Sequence, residues 1–188
     1  MNRREAIGRV GLILGGTIIG AEFFISGCKS TSKKVNELFD EDNVALFNEI
    51  GETILPATST PGAKAANVGA FMALMVQDCY KPDDQKVFVK GISDLDEASK
   101  KKFSKKFMEA DAKQRTELLT ELDAEQKAYT KNKKAEDPNH YFRMMKELTL
   151  LGFFTSEVGA TKALRYVAVP GRYDGCVPYK KGDKAWAT

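Results

Sequence analysis

Asn139-His140-Tyr141-Phe142-Arg143-Met144-Met145-Lys146-Glu147-Leu148-Thr149-Leu150-Leu151-Gly152-Phe153-Phe154 is the stretch on which the fold turns. Wound at 3.6 residues per turn, Tyr141, Phe142, Met144, Met145, Leu148, Leu150, Leu151 and Phe153 put apolar side chains on nearly every face. A helix of that kind predicts a central, buried position among other helices. Upstream, Asp40-Glu41-Asp42 opens another helix, because acidic side chains favour the positive end of the helix dipole. Val44, Phe47, Ile50 and Ile54 follow at the spacing of one face, and Pro56 closes it. Ala57 to Ala63 is a turn-rich loop.

Val68 to Tyr80 reads as a short apolar helix. Pro82-Asp83-Asp84 starts the next, with Phe88, Ile92, Leu95 and Phe103 on its apolar face and a break expected near Gly91 and Ser93. Lys100-Lys101-Lys102 and Lys105-Lys106 read as a solvated basic face. An alternative is contact with anionic lipid, which the acids Asp94, Asp96 and Glu97 dilute. Asp111 and Gln114 have the spacing of a capping box. Leu118, Leu119, Leu122 and Tyr129 are expected to face inward, and Lys131 to Asp137 to form a charged linker. Thr155-Ser156-Glu157 caps a further short helix to about Arg165. From about residue 167 the chain becomes irregular, through Pro170-Gly171-Arg172-Tyr173-Asp174-Gly175-Cys176-Val177-Pro178-Tyr179. The expected architecture is therefore all-α: a compact multi-helix domain over 40–188, about five to seven helices, with an irregular C-terminal extension.

Composition narrows the function. Hydrophobic residues make up 43% and charged residues 29%, which excludes wholesale disorder and a polytopic membrane protein. A net charge of +3 is too balanced for a dedicated nucleic-acid binder. His140 is the single histidine, and its place at a helix start suits capping or the surface better than catalysis. Cys28, Cys79 and Cys176 have no zinc or haem spacing. No nucleophile elbow is present. Gly15-Gly16 lies in the leader, so no dinucleotide fingerprint exists in the rest of the chain. No catalytic, cofactor-binding or metal-binding residue is assigned, and the domain reads as an accessory or binding module.

The first 27 residues read as an export signal. The uncharged run from Val10 to Ala21 has 12 residues, too short for the roughly 20 of a spanning helix. Arg3-Arg4 before it fits the twin-arginine route for folded proteins, although Asn2 and Ala6 depart from the usual pattern. An ordinary secretory signal is the alternative. Ile25-Ser26-Gly27-Cys28 has the form of a lipobox. Lipid on Cys28 would tether the mature chain through residues 28–39 to the inner or outer membrane, on the periplasmic side. Export to an oxidising compartment also permits a disulfide between Cys79 and Cys176; two buried free thiols are the alternative.

Three segments, in this order, carry a resemblance. They are Glu52-Thr53-Ile54-Leu55-Pro56-Ala57-Thr58-Ser59-Thr60-Pro61-Gly62-Ala63, then Lys146 through Leu150-Leu151-Gly152-Phe153-Phe154 to Thr155-Ser156-Glu157-Val158-Gly159, and Leu164-Arg165-Tyr166 through Pro170-Gly171-Arg172-Tyr173 to Gly175-Cys176-Val177-Pro178-Tyr179. With the Arg3-Arg4 start, the chain resembles the small subunit (subunit 3, or gamma) of the gluconate 2-dehydrogenase family, with a lipobox added to a plain export signal. The resemblance implies a large flavoprotein partner that oxidises a sugar or sugar acid at FAD, and a c-type cytochrome that takes the electrons onward. The small subunit would hold no cofactor and would aid export, stability and anchoring of the flavoprotein. Phe154, Thr155, Ser156 and Glu157, with Arg172, Tyr173, Tyr179 and Trp186, are the expected partner interface, since aromatic and arginine side chains anchor interfaces. A stand-alone periplasmic lipoprotein binding a small ligand or a protein is the other reading.

Overall fold

A computed structural model describes residues 33–172 and 175–187. Arg3, Arg4, Cys28 and Tyr173 lie outside the described residues. The all-α expectation holds: the described chain contains five α-helices, three short helical turns and a single pair of two-residue strands.

The folded unit begins at Lys34 rather than at residue 40. Lys34 and Asp40 form an antiparallel bridge around a turn held by Asn36. Asn36 Oδ1 accepts from Leu38 N and Phe39 N, and Asn36 Nδ2 donates to Ala73 O at 2.9 Å. This turn drives Phe39 into the core, edge-on to Phe47 at 5.2 Å and to Phe88 at 6.0 Å. The tether expected over 28–39 therefore does not extend through its last six residues.

Helix α1 spans Glu41–Ile54 and starts at a capping box: Asn43 N donates to Asp40 Oδ1, and Asp40 N donates to Asn43 Oδ1. Phe47 and Ile50 are fully buried on its inner face. The loop after Pro56 is stapled by the Glu52 carboxylate, which accepts from Ala57 N and Lys64 N. After a 3₁₀ turn at Ala63–Ala66, helix α2 spans Val68–Cys79 and buries Val68, Met72, Ala73 and Val76.

Helix α3 spans Pro82–Phe103 without the break expected at Gly91 and Ser93. Gly91 faces the core. A Cβ built there would stand 2.5 Å from the Tyr141 side chain, so the glycine is a packing notch inside a helix and not a helix end. Pro82 occupies the first turn, where its missing N–H costs nothing. Gln85 Nε2 donates to the free carbonyls of Val76 and Gln77 at the end of α2. Helix α4 spans Ala112–Asn132 from the expected Asp111–Gln114 capping box. Leu118, Leu119 and Leu122 are buried as expected, but Tyr129 is exposed. Its hydroxyl donates to Pro138 O at 3.1 Å, which holds the ring over the linker rather than in the core.

Helix α5 spans Tyr141–Thr155 and packs against all four other helices. Phe142 N donates to His140 Nδ1, so His140 caps this helix. Tyr141, Phe142, Met144, Met145, Leu148, Thr149, Gly152 and Phe153 are buried. The central position is thus as expected, but burial on nearly every face is not: Leu150, Leu151 and Phe154 are exposed. A 15-residue helix in a shell of four neighbours still leaves one stripe uncovered. No helix among the described residues is long and apolar enough to cross a membrane.

Candidate partner-binding face

The exposed stripe of α5 lies on its last two turns. Leu150 and Leu151 are one turn before Phe154, so the three share a face. Leu151 is 47% exposed and Phe154 39% exposed. Helix α2 crosses α5 close by, because Gly152 leaves room for the Phe71 ring; a Cβ at 152 would come within 2.6 Å of it. Leu74, one turn beyond Phe71 on α2, is 57% exposed. Exposed apolar side chains gathered on neighbouring helices mark a surface that gains from being covered.

Beyond α5 the chain turns sharply. Ser156 Oγ donates to Phe153 O at 2.7 Å and accepts from Gly159 N at 3.0 Å, which closes the helix and starts the next turn. The expected short helix is present over residues 157–163, π-helical from Gly159 to Ala163, and ends two residues before Arg165. Arg165–Tyr166 (β1) instead pairs in parallel with Trp186–Ala187 (β2). Arg165 N donates to Ala185 O and Val167 N to Ala187 O. The Arg165 guanidinium sits 4.5 Å from the centre of the Trp186 ring, a cation–π contact that fixes the strand pair at the side-chain level. Lys184 Nζ donates to Lys162 O on the same side. The C-terminal extension is therefore an arm pinned at both ends. Between its ends, Val169, Val177 and Tyr179 stand out from the domain, Tyr179 at 78% exposure.

Of the side chains expected at an interface, Phe154, Thr155, Glu157, Arg172, Tyr179 and Trp186 are exposed. Ser156 is half-buried and works as a cap. The pinned ends bring Trp186 to β1, next in sequence to the turn that follows α5. The sequence reading missed Leu74, Leu150, Leu151 and Tyr166. The signal for Leu150 and Leu151 was present: α5 carries more apolar side chains than a helix of its length can bury.

Cys79 and Cys176 are both exposed free thiols, so the disulfide is not formed and neither thiol is buried. Cys79 lies on the last turn of α2, its thiol toward Met75 Sδ at 3.9 Å. The basic cluster at the end of α3 is in part internally neutralised, since Lys102 Nζ lies 2.6 Å from Glu117 and 2.5 Å from Glu121. Among the described residues no group of three or more His, Cys, Asp or Glu side chains could hold a metal ion.

The family model for gluconate 2-dehydrogenase subunit 3 matches residues 41–171, from the first residue of α1 to just past β1. The chain belongs to this family. Membership points to an accessory subunit of a gluconate 2-dehydrogenase-like complex, alongside the catalytic dehydrogenase subunit. No curated protein and no solved structure matches the chain. The matched region contains all five helices and the α5 stripe. The arm beyond residue 171, with Tyr179 and Trp186, lies outside it, so its place at an interface rests on exposure and residue type alone.

Proposed function

We propose that this chain is the non-catalytic subunit of a membrane-associated, FAD-dependent sugar or sugar-acid dehydrogenase. It escorts the large flavoprotein through the export channel by the Arg3-Arg4 signal, stabilises it, and anchors it by lipid on Cys28. A c-type cytochrome accepts the electrons, on the periplasmic side. FAD belongs to the partner.

The observation that carries this reading is the family match over 41–171, taken with the exposed apolar stripe that the same region contains. Leu150, Leu151 and Phe154 are the centre of the contact in this reading. Thr155, Glu157, Arg172, Tyr179 and Trp186 form its polar and aromatic margin. The test is capture of the full chain from membranes in mild detergent, as wild type and as Leu151→Lys with Phe154→Lys. The wild type brings down a larger flavin-containing subunit, and the double variant loses it while its melting temperature is unchanged. Equal capture by both proteins removes the stripe from the interface. Replacing Arg3 and Arg4 by lysine leaves the flavoprotein unexported; unchanged export rules out the escort role.

A further inference from the structure

At the opposite end of α5 from the apolar stripe, a cavity of about 550 Å³ opens between α3, α4 and the start of α5. Tyr141 is the buried polar side chain within it, beside the buried Leu122. It is only 8% exposed, and its ring lies in the notch left by Gly91. His140 stacks on one face of that ring at 4.6 Å. The phenol makes no hydrogen bond among the described residues. The ring is packed away while the hydroxyl faces the cavity, where it is open to water or a ligand. Burial, together with the carboxylates of Glu125 and Asp94, pushes its pKa up, so at neutral pH it stays neutral and keeps its lone pairs for a donor.

The charges around the phenol are unequal. Lys90 Nζ lies 2.6 Å from Asp94, which neutralises that carboxylate. Glu97 and Lys101 make no ion pair among the described residues. Glu125 faces only His140, at 3.6 Å. His140 Nδ1 accepts the Phe142 N–H, which leaves Nε2 toward Glu125, and among the described residues no lysine or arginine pairs with that carboxylate. The balance of the lining is one negative charge. Leu122 and Val87 supply apolar wall, and Tyr129 supplies an aromatic ring.

We infer that this cavity is a binding site for a small organic cation, an ammonium or guanidinium group on an apolar body. The cation donates to the Tyr141 oxygen and to the Glu125 carboxylate, and its apolar part lies against Leu122 and the Tyr129 ring. A carboxylate ligand would face Glu125 and Glu97 instead and is disfavoured. Tyr141 and Phe154 are thirteen residues apart on α5, about 20 Å along its axis, so the site is separate from the proposed partner face.

Calorimetric titration of the full chain in mild detergent tests this with three isosteric probes: benzylamine, benzyl alcohol and benzoate. Benzylamine is expected to saturate below about 10 mM, with benzyl alcohol at least about fivefold weaker and benzoate weaker still. Glu125→Gln, at an exposed position, and Tyr141→Phe, which keeps the ring in the Gly91 notch, are each expected to weaken benzylamine by about fivefold or more, with an unchanged melting temperature. Benzoate binding as tightly as benzylamine, no saturation by benzylamine, or affinity unchanged in both variants would overturn the assignment.

Discussion

Asp123 shows how single residues hold the helices in place. Its carboxylate lies 2.7 Å from Lys127 on its own helix and 2.6 Å from Lys146 on α5. Hydrogen bonds to Lys127 and Lys146 lower its pKa to about 2. Because the folded pKa is depressed, the stabilisation is present above the unfolded carboxylate value and is lost as pH falls through the range from about 4 to 2. Asp123→Asn should cost on the order of 1 kcal/mol at pH 7, after allowance for screening at the exposed Lys127. Denaturant melts should show that gap narrowing at pH 3. A gap that stays constant with pH would mean that the carboxylate charge contributes nothing. Gly91 makes the steric counterpart: Gly91→Ala should destabilise by about 1–3 kcal/mol through its clash with Tyr141, although alanine is the better helix former. A stabilised Gly91→Ala protein would show that the Tyr141 ring can move aside.

At the scale of elements, the cap and the stripe make different predictions. Asp111→Ala removes the capping box of α4 and should cost about 1 kcal/mol, read as a lower urea midpoint. Leu151→Lys on α5 removes no buried contact and should change stability by less than about 0.5 kcal/mol, while abolishing partner capture. A large loss of stability would instead place Leu151 in the core. Four helix starts were legible because each rests on local chemistry: acids at α1, Pro82 at α3, Asp111 with Gln114 at α4, and the apolar run of α5. What was missed is non-local. Gly91 reads as a break until Tyr141, fifty residues on, is seen lying against it. Tyr129 reads as core until Pro138 O is found beside its hydroxyl. The strand pair between Arg165 and Trp186 has no local signature, because two residues are too few for a period. The candidate interface was half legible. Phe154 and the arm stood out by residue type, whereas Leu74, Leu150 and Leu151 needed the packing to show that they are left outside.

From Lys34 onward the described chain is a helical domain built around α5, whose two ends face different tasks. The N-terminal end closes a cavity with Tyr141, and the C-terminal end presents an apolar stripe and a pinned arm. Lipid on Cys28 predicts that Cys28→Ser moves the protein, and any flavoprotein bound to it, from the membrane to the soluble fraction. Retention of the variant at the membrane would remove the anchor. The central claim is that this chain is one subunit of a dehydrogenase complex. The most direct test is the native mass and visible spectrum of the protein isolated in mild detergent. The expected result is a complex far heavier than the 20.8 kDa chain, with flavin absorption that bleaches when a sugar or sugar acid is added. A colourless particle of the chain's own mass would contradict it.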